Sequence, residues 1–267
     1  MSLVRVRASS LPELFDCPAR WEAKHLHGIR LPGSGAAQLG TAVHNGSAAY
    51  DSARMKGLSA AEALERAEAA LVDAIRHPRR EVVWGELAAE QAEAIALALL
   101  RRYASEVSPK YRFAAVELTC PAIDMPELGL SLTGTADRVY VDADSGALGV
   151  ADVKTGRNAV AADGTVSTAG HALQLAAYEM LAARALGRDM EAPAHVIGLS
   201  VAKTASARRT GVGVVRGARE LLSSSGGRGM LRHASAMLAS GDFYGNARSQ
   251  LCREKSCPIF QKCRFRK

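Results

Sequence analysis

Apolar and polar residues alternate in two regimes along the chain, and the change between them divides it. Through the first hundred or so residues the apolar positions recur at helical spacing. Ser10-Leu-Pro-Glu13 has the form of a capping box with proline in the first turn, and it leads into the run LFDCPARWEAKHL. Residues 39–55 and 60–77 follow as predicted helices, the second rich in alanine and glutamate, and residues 86–105 predict another. The pattern then becomes that of strands. Residues 113–123, 131–142 and 147–154 are rich in β-branched side chains and are separated by turn chemistry at MPELG and DADSG, so a three-strand meander is expected. A helix over 171–186 closes at Gly187. A fourth strand over 194–203 and a short fifth over 211–215 precede a helical stretch, 216–240, broken by SSSGGRG. Helices before and after a small mixed sheet predict an α/β architecture in three segments. These are an N-terminal helical region (1–110), a core (111–240) and a cysteine-bearing tail (241–267).

Composition adds little to that outline, but charge adds more. At 267 residues, 48% hydrophobic and 23% charged, the chain reads as an ordinary globular protein. Its longest apolar stretches are interrupted by polar residues, and no apolar region precedes the first acidic residues. Neither a membrane span nor a secretory signal is therefore expected, and the cytoplasm is the predicted location. The excess of 34 Lys+Arg over 27 Asp+Glu, net +7, suits a phosphate backbone as partner, although a generic basic surface would give the same count.

The stretch GTADRVYVDADSGALGVADVKTG carries the chemistry. In a strand, residues i and i+2 share a face, so Asp152 and Lys154 point one way and Val153 the other. A hairpin brings Asp137 beside Asp152. Two adjacent carboxylates repel unless a cation lies between them, and hard oxygen donors suit Mg²⁺ or Mn²⁺. A lysine next to such an ion completes an apparatus for phosphodiester hydrolysis. An isolated D-x-K, however, is equally a surface hairpin with an ion pair.

The surroundings narrow the choice. His44 lies in Gly40-Thr-Ala-Val-His44, Glu117 lies on the first strand of the meander, and Gln174 and Tyr178 share a face of the following helix. The order G-x-x-x-H, G-x-x-D-R, D-x-K-T-G, Q-x-x-x-Y, from Leu39 to about Ala183, resembles the RecB-like branch of the PD-(D/E)XK nuclease superfamily. Here Ala136 stands where that branch often has proline. The resemblance implies a restriction-endonuclease-like core. In it His44, Asp137, Asp152 and the Val153 carbonyl would ligate the metal, and Glu117 would be an outer ligand. Lys154 would position or activate water, while Gln174 and Tyr178 would contact DNA and support Lys154.

Cys252, Cys257 and Cys263 stand in C-x4-C-x5-C spacing, and Cys17 is the candidate fourth ligand, because Cys120 lies within a strand expected to be buried. Four thiolates suit either Zn²⁺ or an iron–sulfur cluster. One cysteine before the core and three after it resembles the AddB nuclease domain and the CRISPR-associated Cas-four exonucleases. That implies a structural [4Fe–4S] cluster clamping the chain ends, with Zn²⁺ as the alternative occupant. Basic residues flank these cysteines, and Trp21, Tyr244 and Phe260 are near enough in sequence for base stacking or for core packing.

The expected function is a Mg²⁺- or Mn²⁺-dependent DNA exonuclease acting on single strands or strand ends, 5′→3′ by family resemblance. A structure-dependent endonuclease and a non-catalytic DNA-binding adaptor are the alternatives. No G-x-x-x-x-G-K-[ST] helicase motif occurs, which suits a stand-alone enzyme, self-associated or working with an integrase or recombination partner.

Overall fold

The computed structural model of the protein describes residues 3–223 and 229–266. Most of the SSSGGRG interruption lies outside the described residues. In chain order the elements are strand β1 (Val4–Arg7), helices α1 (Leu11–Asp16) and α2 (Pro18–His25), and the two-residue strand β2 (Gly33–Ser34). Helices α3 (Gly35–Met55) and α4 (Ala60–Arg76), the short β3 (Val82–Val83) and α5 (Ala89–Arg102) complete the first half. Strands β4 (Arg112–Met125), β5 (Leu130–Val141) and β6 (Leu148–Gly156) form the expected meander. They are followed by α6 (Ala172–Leu186), β7 (Ala194–Ser200), β8 (Thr210–Val215), α7 (Ala218–Leu222) and α8 (Met230–Ser240).

Two local expectations change. A capping box does form, but at Ser59–Glu62 on α4, where each side chain bonds the other's backbone amide. At Ser10 it does not. That hydroxyl donates to the Arg7 carbonyl at 2.8 Å and accepts from the buried Trp21 indole at 3.1 Å. Glu13 is drawn instead to Arg20 and to Lys24, the latter at 2.6 Å. The first hundred residues are also not wholly helical: β1 is a strand, too short to show a period of its own, made by parallel pairing with β5.

The central sheet is mixed, in the order β1-β5-β6-β7-β8, with β4 also paired to β5. Strand β4 runs antiparallel along all of β5, from Arg112↔Val141 to Met125↔Leu130. The opposite edge of β5 is shared. β1 takes residues up to Thr133, and β6 takes Arg138 onward, pairing it with Ala151. Beyond Ala151, β6 leaves β5 and continues beside β7 alone. The sheet therefore forks at Gly134–Asp137 on one side and Asp152–Gly156 on the other.

Each face of the sheet buries its own layer. Val139, Val150 and Val196 pack with Trp21, α1 and α6, whereas Tyr140, Ala151, Val153 and Ile197 pack with α3, α4 and α5. This alternation follows from the two-residue period of a strand and places Val153 opposite Asp152 and Lys154, as expected. Gly40 allows α3 to lie close against the fork, since a Cβ there would stand 2.7 Å from Thr155 Oγ1. Gly134 admits α6 in the same way, with Tyr178 and Leu181 at 3.2 and 3.0 Å from such a Cβ.

Candidate active site

At the fork the backbone ladder ends and a side chain replaces it. The Val153 amide, the next donor along β6, donates to Asp137 Oδ2 at 3.0 Å. This bond fixes the Asp137 carboxylate, which is 8% exposed, beside Asp152, which is 1% exposed. From the other side of the sheet α3 delivers His44, whose Nε2 lies 2.9 Å from Asp137 Oδ2 and 3.4 Å from Glu117 Oε1. His44, Glu117 and Asp137 thus offer ligand atoms that all lie within 4.8 Å of one another. Glu117, expected as an outer ligand, stands inside this group. Its φ of 50° in an otherwise extended strand is a conformation that a non-glycine residue adopts at a cost, and it recurs at functional sites.

Asp152 lies beside the trio and is held by other partners. Gln174 donates its amide to Asp152 Oδ1 at 3.1 Å and to the Tyr178 hydroxyl at 3.0 Å. Both side chains come from one face of α6 and both are buried. Their observed contacts therefore differ from the expected ones. They brace Asp152 rather than Lys154, and their burial leaves little surface for DNA. Lys154, half-buried at the lip, brings Nζ to 2.7 Å from Asp152 Oδ2. Asp152 Oδ2 is therefore a buried oxygen whose close partner is the Lys154 ammonium at the lip.

The electrostatics follow from crowding. Burial, and then the neighbouring Asp137 charge, push Asp152 up to about 7 despite Lys154. Burial would raise Asp137 too, but His44 and Lys154 hold it below its ordinary value. Burial alone would lower His44, whereas its hydrogen bond to Asp137 and the charges of Asp137 and Glu117 raise it. Burial raises Glu117, with Asp137 adding to the effect. One imidazole and two carboxylates at close range, next to the buried Asp152 carboxylate, are a donor set that fits a hard divalent cation.

Sequence patterns gave no role to Asp51 or Ser47, or to Arg138 beyond its place in the G-x-x-D-R motif, and all three lie directly behind the trio. Ser47 and Asp51 follow His44 at helical spacing on α3, which was the available signal. His171, just ahead of α6 and three residues before Gln174, lies within range of the Lys154 charge, which together with burial lowers its pKa.

The cysteines form a second centre. Cys17, Cys252, Cys257 and Cys263 line one cavity together with Arg20 and Asn246, while Cys120 stays buried in β4. The tail docks through polar contacts: Ala19 N to Tyr244 O at 3.0 Å, Asn246 Nδ2 to Asp16 O at 2.8 Å, and Arg20 Nε to Ser256 O at 3.1 Å. Burial, and beyond it Cys17 and Cys263, push the Cys257 thiol up. Trp21 is fully buried between His25 and Phe243 and is withdrawn from base stacking, whereas Tyr244 is half exposed. Among the described residues no helix is long and apolar enough to cross a membrane.

No curated protein shows significant similarity to the chain. The family model of the PD-(D/E)XK nuclease superfamily, however, matches residues 5–264, spanning the fork, its ligand trio and both cysteine-bearing ends. The chain therefore belongs to the PD-(D/E)XK nuclease superfamily, and metal-dependent phosphodiester hydrolysis is the chemistry that this membership implies.

Proposed function

We propose that the protein is a Mg²⁺- or Mn²⁺-dependent DNA exonuclease of the RecB-like branch, acting on single strands or strand ends. The supporting observation is the strand fork, where His44, Glu117 and Asp137 converge while Asp152 and Lys154 stand beside them. A divalent ion bound there supplies Lewis acidity and acidifies its water. The chain's own residues do the rest. Asp137 is fixed by the Val153 amide, and Asp152 is oriented by Gln174. Lys154 Nζ, at the lip, meets the attacking water or a phosphate oxygen and balances the charge that develops there. The net charge of +7 supports attraction of a polyanion.

Within the same proposal the cysteine cavity holds a [4Fe–4S] cluster with a structural role. The reading is supported by four cysteines lining one cavity where the tail docks, with Zn²⁺ as the alternative occupant.

End-labelled linear DNA, single- and double-stranded, incubated with Mn²⁺ beside a circular substrate, tests the activity. Shortening of the linear strands with the circle intact is expected, and Asp152→Ala and Lys154→Ala are expected to abolish it. Cutting of the circle would favour the endonuclease alternative. Identical behaviour of wild type and both variants would refute the nuclease assignment. Iron and sulfide analysis after anaerobic purification tests the cluster, and stoichiometric zinc without sulfide would overturn that part.

A further inference from the structure

Directly behind the ligand trio lies an ion pair that stability alone does not explain. Arg138 and Asp51 are both 0% exposed, and Arg138 Nε donates to Asp51 Oδ2 at 2.6 Å. A buried ion pair is a poor source of stability, because apolar side chains of similar volume often do as well or better. This one is fully furnished with partners. Asp51 also accepts from the Tyr103 hydroxyl at 2.5 Å and from Ser108 Oγ at 2.7 Å, and Arg138 Nη2 donates to Ser47 Oγ at 3.1 Å. One nitrogen of the guanidinium faces the other way. Nη1 donates to the Asp137 carbonyl at 2.7 Å and to Glu117 Oε1 at 3.3 Å.

The connections join the elements that build the site. His44, Ser47 and Asp51 recur at helical spacing on α3, Asp137 and Arg138 are consecutive on β5, and Glu117 lies on β4. Glu117 and Asp137 lie across from each other, between the pairs Val116↔Arg138 and Leu118↔Ala136. Like charges so placed repel, and Glu117 additionally sits at its unfavourable φ.

We propose, on the metal-dependent nuclease reading above, that Arg138 is the positioning residue of the metal site. Anchored to α3 by Asp51 and Ser47, it fixes the Asp137 backbone and the Glu117 carboxylate in register with His44. The trio is thereby set to one geometry before an ion arrives. Its positive charge would by itself repel a cation, and the paired Asp51 carboxylate offsets that repulsion.

The double variant Asp51→Asn/Arg138→Met tests this, because it removes both charges together and leaves the net charge near the site unchanged. Asparagine keeps one acceptor oxygen for one of the two hydroxyls and offers its NH₂ to the oxygen of the other, and no uncompensated buried charge remains. Mn²⁺ affinity, followed by electron paramagnetic resonance on the full-length protein without DNA, is expected to fall roughly 10- to 100-fold. The variant is expected to keep a cooperative thermal transition. Arg138→Lys, which keeps the charge but has one nitrogen in place of the fork, is expected to show the same direction of change. Unchanged Mn²⁺ affinity in either folded variant overturns the proposal. So does loss of folding in both, which would make the pair a structural keystone only. Failure of the underlying nuclease reading looks different: wild type would then bind Mn²⁺ no better than Asp137→Ala and would leave DNA intact.

Discussion

Replacing Asp152 with asparagine is expected to stabilise the metal-free protein above neutral pH while abolishing hydrolysis. In the folded state burial and the Asp137 charge raise the Asp152 carboxyl from 3.8 to about 7. Between those values the folded chain holds a proton that the unfolded chain has released. The stability gained from holding it is complete at low pH and is lost as pH rises toward 7. At roughly 1.4 kcal/mol per pH unit, the ceiling on that loss is about 4 kcal/mol. Asparagine removes the charge, and its carbonyl still accepts from Gln174. Lys154 gives up its partner in the exchange, but it is already part-exposed and readily solvated. A net gain of roughly 1–3 kcal/mol above pH 8 follows, or roughly 2–10 °C in melting temperature for a chain of this size. Melts of wild type and Asp152→Asn in a divalent-ion chelator, from pH 5 to pH 9, measure it directly. The gap is expected to open as pH rises and to level off above about 8. Saturating Mn²⁺ is then expected to stabilise wild type more than the variant. A variant less stable than wild type at pH 9, or a gap that does not change with pH, would refute the argument.

Other consequences are equally concrete. Gln174→Leu removes the donor to Asp152 Oδ1 without changing the apolar packing of α6. It is expected to lower kcat roughly 10- to 100-fold at nearly constant KM in steady-state cleavage, and an unchanged kcat would remove Gln174 from the site's support. Gly40→Val forces a Cβ to within 2.7 Å of Thr155 Oγ1, so urea denaturation is expected to show a loss of roughly 1–3 kcal/mol. Adding Thr155→Ala is expected to recover part of it, and full additivity of the two changes would argue against a clash at that point. Cys17→Ser is expected to lower iron content and to expose the tail to trypsin at Arg253 and Lys255 while the core still melts cooperatively. Wild-type iron content and protection would show that Cys17 is not a ligand.

Features that depend on short-range periodicity were legible in the chain itself. The three meander strands, the α6 helix ending at Gly187 and the opposition of Val153 to Asp152 and Lys154 all follow from steric rules acting within a few residues. The candidates His44, Asp137 and Gln174 were legible only as an ordered set of motifs, because no single one exceeds the background of ordinary surface and core residues. What joins distant segments was settled by tertiary structure. Four residues of β1 become a strand because β5 offers them an edge, and Ser10 leaves its capping role because Trp21 needs its hydroxyl. Glu117 is brought to His44 and Asp137 through cross-strand register and an unusual φ that no local pattern encodes. Arg138 stands in the sequence only as the last letter of the G-x-x-D-R motif, with nothing local to give it a role. Its burial against Asp51 exists only once α3 packs on the sheet, because a contact between remote residues depends on where the whole backbone brings them, whereas periodicity reports only which face each element buries.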